Sequence, residues 1–181
     1  MEAASKVFHE KGYEGSSVQE IADAVGMLKG SLYYWIDSKE DLLYWTIKDM
    51  HENFVRVAHD ARRGQIPAAE KLRRLIVAHT IQITREVTKS AVFFQDFGRL
   101  GDSRRKEILD LRDWYTDVVV ELVAEGQKDK ALRSDIGARA IAVWILGALN
   151  WTYTWYLPLG SQTPRQIGET YAALILDGLR A

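Results

Sequence analysis

Residues 17–43 read SVQEIADAVGMLKGSLYYWIDSKEDLL, and the spacing within that stretch decides the fold. Ser17 followed three residues later by Glu20 forms a capping box, in which hydroxyl and carboxylate satisfy the amides that a helix start leaves unpaired. Val18, Ile21, Ala22 and Val25 then share one face of a short helix, and Gly26 supplies a turn. A second short helix is expected from Lys29 to Ile36. Ser38, Lys39, Glu40 and Asp41 offer a further helix start ahead of Leu42 and Leu43. Leu32 and Ile36 are expected to fill the core of so small a unit. Tyr33 and Tyr34 then have little core left to fill, which raises the question of what their rings are for.

Outward from that stretch the pattern stays helical. Upstream, Ala4, Val7 and Phe8 mark a helix that Gly12 stops; no capping residue precedes it, so an N-terminal arm is expected before Met1. Downstream, a long amphipathic pattern runs through Leu42, Leu43, Ile47, Met50, Phe54 and Val57 to about Gly64. Pro67 opens a helix with Leu72, Leu75, Ile76 and Ile83 inward. A short apolar segment, SAVFFQDF, ends at Gly98 and Gly101. A long helix carries Ile108, Leu111, Tyr115, Val118, Val119 and Leu122, and another runs from Ile136 to Leu157, where Pro158 ends it. Thr163, Pro164 and Gln166 combine a cap, a first-turn proline and a capping-box partner for the last helix, to Leu179. About nine helices and no strand predict an all-α fold. Two domains are expected: residues 1–45, built around the helix-turn-helix, and residues 46–181, the long helices.

Composition narrows the function classes. The chain of 181 residues is 47% hydrophobic and 27% charged, ordinary globular values. It has no cysteine, which excludes disulfides, thiolate nucleophiles and zinc-thiolate sites. No apolar run approaches the roughly 18 residues that span a bilayer, and no signal-peptide pattern opens the chain. A cytoplasmic protein without a membrane partner is expected. The net charge is -1, and residues 1–60 hold 6 Lys+Arg against 11 Asp+Glu. That acidic balance argues against a nucleic-acid partner unless local geometry overrides it. His9, His51, His59 and His79 are scattered, with no zinc-binding or nucleophile-elbow motif. No catalytic residue, metal site or cofactor is expected.

Two short helices joined through glycine, the second polar and aromatic on its outer face, form the pattern that sets a recognition helix in the DNA major groove. The run VFHEKGYEGSSVQEIADAVGMLKGSLYYWIDSKEDLL resembles the DNA-binding domain of TetR-family transcriptional repressors over about residues 3–47. The resemblance is carried by F-x-x-K-G-Y, S-V-x-x-I-A, K-G-S-L-Y-Y and S-K-E-D-L-L. It implies double-stranded DNA with a palindromic operator as partner. Lys29, Gly30 and Ser31 then open the recognition helix toward phosphates. Tyr33 meets a thymine methyl or a phosphate, Tyr34 and Trp35 meet phosphate or sugar, and Ser17 adds a phosphate contact to its capping role. Lys39 resembles the family's phosphate anchor. Leu28 departs from the small polar residue usual at the helix entry, which leaves that start poorly capped. Without the resemblance, the tyrosines read as half-buried rings and Lys39 as a solvated charge.

The resemblance further implies a homodimer through the last two helices, where Ala142, Gly147, Ala148, Ala172 and Ala173 permit close approach; the same residues also suit packing within one subunit. It implies a small-molecule effector. Phe93, Phe97, Trp114, Trp144, Trp151 and Trp155 suit a mostly apolar pocket, or plain core. Arg99 and Arg104, with Arg105 and Lys106, suit an anionic head group, or a solvated surface. The ending NWTYTWYLPLGSQTPRQIGETYAALILDGL is similar to those repressors of lipid or steroid breakdown that respond to acyl-coenzyme A, so an acyl-CoA thioester is the expected effector. The alternatives are an apolar aromatic compound or drug, and, in a different class, a helical protein-interaction adaptor.

Overall fold

The computed structural model describes residues 1–181 and contains α-helices, turns and loops without a β-strand. The helices are α1 (Glu2–Gly15), α2 (Val18–Ala24), α3 (Lys29–Leu32), α4 (Lys39–Arg62), α5 (Ala68–Arg85), α6 (Val87–Gln95), α7 (Asp102–Lys128), α8 (Ala138–Asn150), α9 (Thr152–Trp155) and α10 (Pro164–Leu179), with a 3-10 turn at Phe97–Arg99. The all-α expectation holds. Two compact units emerge, one formed by 1–52 with 86–110 and the other by 53–85 with 111–181.

In the first unit, α1 buries Ala4, Val7 and Phe8 and packs on α6, whose Ala91, Val92 and Phe93 are also buried. Gly12 breaks α1 with φ 72°, a left-handed conformation that glycine adopts without a Cβ clash. Helix α2 contributes Val18, Ile21 and Ala22, and the first turns of α4 contribute Leu43, Ile47 and Met50. Each Val, Leu, Ile, Phe or Met among them, taken wholly out of water, stabilises the unit by about 1.5–3 kcal/mol.

In the second unit, the stripe of α4 continues through Phe54, Ala58 and Ala61 at the spacing of one helix face. Helix α5 buries Leu72, Leu75, Ile76 and Ile83 and lies along α10. Their approach is close because Gly168 carries no side chain: a Cβ there would meet the Val77 Cα at 3.0 Å and the Val77 carbonyl oxygen at 3.1 Å. Thr163 and Gln166 cap α10 reciprocally, with Pro164 in the first turn.

Three features differ from the sequence expectation. The recognition helix spans Lys29–Leu32 rather than Lys29–Ile36, because Tyr34 and Trp35 donate to carbonyls three residues back and tighten the chain into turns. Leu32 is only half-buried, so Ile36, 3% exposed, fills the core in its place. The helix expected from Ile136 to Leu157 starts at Ala138 and is interrupted at Trp151, where α8 gives way to α9.

Candidate nucleic-acid interface and effector region

The helix-turn-helix is built from local bonds. Ser17 Oγ accepts the Glu20 amide at 3.2 Å, while Glu20 accepts the Ser17 amide at 2.8 Å and the Ser17 hydroxyl at 2.9 Å. Lys11 also donates to Glu20. The Lys11 bond, followed by the two from Ser17, holds the Glu20 carboxyl down to about 2. Gly26 turns the chain with φ 69°, and the Met27 amide closes on the Ala22 carbonyl at 2.9 Å. Leu28 enters α3 without a side-chain cap and is 80% exposed.

Beyond that entry, all but one of the residues expected at DNA are exposed. Lys29, Gly30 and Ser31 are exposed, as are Tyr33, Tyr34 and Trp35. Tyr34 and Trp35 meet edge to face, with centroids 5.2 Å apart, and Lys29 Nζ lies 5.8 Å from the Tyr33 ring centroid. Ser17 is exposed at the start of α2. Lys39 is tied inward: its ammonium donates to the Tyr13 carbonyl at 2.7 Å and the Ser16 carbonyl at 2.9 Å, 4.3 Å from the Tyr13 ring centroid. Two of its three donors are thereby engaged. No residue pattern points to those partners, because backbone carbonyls carry no residue identity.

The residues expected around an effector fall in both units. Phe93, Phe97, Arg99 and Arg104 belong to the first unit, and Trp114, Trp144, Trp151 and Trp155 to the second. Phe93 is buried against Phe94 and His51, with centroids at 4.9 and 5.5 Å, and Phe97 is half-buried. Each cation of the basic run already has a carboxylate: Arg99 pairs with Glu14 at 3.3 Å, Arg104 with Asp41 and Glu40, Arg105 with Asp102, and Lys106 with Asp110 at 2.7 Å. Trp114 lies against His59 at 5.4 Å. Trp144, Trp151 and Trp155 are 61%, 64% and 44% exposed, so none of the three is core. Trp144 and Leu174, with Ile136 and Ala140, line an apolar groove of about 370 Å³ on α8 and α10.

The second unit holds a polar group in its interior that sequence reasoning did not single out. His79 accepts from or donates to the Tyr115 hydroxyl through Nδ1 at 2.9 Å and pairs with Asn150 Oδ1 through Nε2 at 3.1 Å. Because Asn150 Oδ1 is an acceptor only, Nε2 carries the proton and Tyr115 donates to Nδ1. Phe54 stacks on the imidazole at 4.6 Å. Burial lowers the His79 pKa from 6.5 to about 4 and raises that of Tyr115, so both are neutral near pH 7. The available signal was a histidine on the apolar stripe of α5, at the position where Leu72, Leu75, Ile76 and Ile83 face inward.

Comparison with known proteins agrees with this architecture. Residues 1–44 match the family described as bacterial regulatory proteins, tetR family, and residues 65–179 match the tetracyclin repressor-like C-terminal domain. The HTH-type transcriptional repressor KstR2 of Rhodococcus jostii is 26% identical over 181 residues, covering 99% of this chain and 88% of that protein. The solved structure of the ketosteroid transcriptional regulator KstR2 of Mycobacterium tuberculosis superposes with a TM-score of 0.91 at 26% identity, over 99% of this chain and 92% of that one. AibR, solved in complex with isovaleryl coenzyme A and operator DNA, gives a TM-score of 0.86 at 26% identity, over 96% and 94% of the two chains. Both halves of the chain thus match one family, whose members are DNA-binding transcription factors and not enzymes. The chain belongs to the TetR family of transcriptional regulators.

Proposed function

We propose that this chain is a repressor that binds a two-fold operator as a cytoplasmic homodimer and leaves it when a small-molecule effector binds. The exposed Lys29–Trp35 segment carries the proposal, because Tyr33, Tyr34 and Trp35 leave 44%, 82% and 67% of their surface in water side by side, an exposed aromatic patch of the kind that marks a binding surface. Lys29, Gly30, Ser31 and Tyr33 are assigned to the groove, Tyr34, Trp35 and Ser17 to the flanking backbone, and Lys39, through its remaining donor, to a phosphate. Dimerisation is assigned to α8 and α10, whose outward Trp144, Val143 and Leu174 form an apolar face. Operator reading is assigned to residues 1–45, and effector binding and dimerisation to residues 46–181.

An acyl-CoA thioester of lipid or steroid breakdown is the proposed effector. The support is the likeness to KstR2 and AibR, together with the aromatic content of the C-terminal half. The effector must bind the DNA-incompetent dimer better than the competent one, since equal affinity shifts nothing. A swing of α4 that alters the distance between the two recognition segments would suffice, because operators accept only particular half-site spacings. One observation favours a second reading: every cation from Arg99 to Lys106 is already neutralised by a carboxylate, which suits an uncharged aromatic effector better than a phosphate-bearing one. Titrating labelled operator with an acid, its CoA ester and an uncharged aromatic compound separates the two. Release by the ester alone supports the first reading; release by the aromatic compound alone replaces it. Spin-label distances across the dimer that stay fixed on release would count against the swing.

A further inference from the structure

Directly after the recognition segment, one buried carboxylate holds the backbone. Asp41 Oδ2 accepts the Asp37 amide at 2.8 Å and the Ser38 amide at 2.7 Å. Its second oxygen accepts from Arg104 at the start of α7, and the Asp41 side chain is only 7% exposed. Arg104 also meets Glu40 at 3.4 Å, and its guanidinium carbon lies 5.1 Å from the centroid of the Tyr44 ring. Around this pair the two helices are joined again: Glu40 accepts the Gly101 amide at 3.1 Å, and Glu107 accepts from Tyr44 at 2.6 Å and from Lys48 at 2.8 Å.

This arrangement differs from an ordinary surface ion pair. A buried carboxylate needs a countercharge, and removing that partner leaves the carboxylate uncompensated. A guanidinium can face two carboxylates and an aromatic ring at once, which the compact ammonium of lysine cannot reproduce. Arg104, expected from sequence to meet an effector's anionic head group, is instead committed to the start of α4.

We infer that Arg104 is a positioning residue for DNA binding: through Asp41 it fixes the backbone at Asp37 and Ser38, and with it the direction in which Lys29–Trp35 projects. The inference rests on that segment being the one that meets DNA. Base readout depends on placement more than phosphate attraction does, so losing the anchor should cost sequence-specific affinity and spare non-specific affinity.

The test uses the full chain, a duplex that the wild type selects from a random pool, and an unrelated duplex of equal length. Arg104→Met should weaken binding to the selected duplex tenfold or more, leave the unrelated duplex within twofold, and speed hydrogen exchange at the Asp37 and Ser38 amides. Arg104→Lys should fall between, since it restores charge without the fork. Arg104→Met binding the selected duplex within twofold of wild type overturns the inference, and so does an equal loss on both duplexes. If that variant does not fold, Glu40→Gln decides, because it weakens one partner of Arg104 and leaves the Asp41 cap in place. A selective loss of twofold to fivefold supports the inference, and none overturns it. A wild type that selects no duplex overturns the DNA reading itself.

Discussion

Tyr34 is 82% exposed on a turn and its ring contact is with Trp35, itself exposed, so its removal separates binding from folding. Tyr34→Ala should leave thermal stability within about 0.5 kcal/mol, as surface substitutions usually do. It should weaken operator binding by about 1–2 kcal/mol at fixed salt, read by gel shift. His79 offers the opposite case, buried and silent toward partners. Its folded pKa of about 4 lies below its ordinary 6.5, so the unfolded chain binds the extra proton between those values. Stability is therefore complete above about pH 6.5 and is lost as pH falls toward 4, by about 3 kcal/mol in all. Melting curves from pH 7 to 4 should show that loss, and His79→Gln should flatten it; equal slopes in both proteins would sink the assignment. The exposed rings were legible in the sequence because a helix as short as Lys29 to Ile36 has too little core for them. The inward turn of Lys39 was not, since its partners are main-chain carbonyls of Tyr13 and Ser16.

At the scale of elements, α5 and α10 approach as closely as Gly168 allows. Gly168→Ala places a methyl within 3.0 Å of the Val77 Cα, and backbone on both sides cannot yield cheaply. The better helix propensity of alanine, about 1 kcal/mol, should be outweighed by overpacking of about 1–3 kcal/mol. A net fall in the melting temperature is expected; a rise would show that the helices part without cost. Capping boxes were legible at Ser17 and Thr163, because each rests on residues three apart and both form as expected. The break at Trp151 was missed, since the apolar spacing of α8 runs on across it and the end is marked by main-chain geometry, the Thr154 amide closing on the Trp151 carbonyl three residues back.

For the whole molecule, the proposed dimer makes a demand that one chain cannot meet alone. The outward Trp144 and Leu174 flank the apolar groove on α8 and α10, and a charge there should be buried against its own symmetry copy. Leu174→Glu should turn the dimer into a monomer by light scattering and abolish tight operator binding. It should leave helicity unchanged, because Leu174 is 68% exposed in the chain. A variant that remains dimeric would place the interface elsewhere.

By itself, the sequence determined the all-α class, the place of most helices, the glycine turn, the capping boxes and the family. These rest on interactions between residues a few positions apart, which a linear pattern records. Only the tertiary structure decided which charges are spent on one another, as Arg104 is on Asp41, and which polar groups lie inside, as His79 does. It also decided that Trp144, Trp151 and Trp155 face outward. Periodicity identifies a face of a helix; what stands across from that face depends on segments far along the chain, and contact between them is settled only when the whole chain packs.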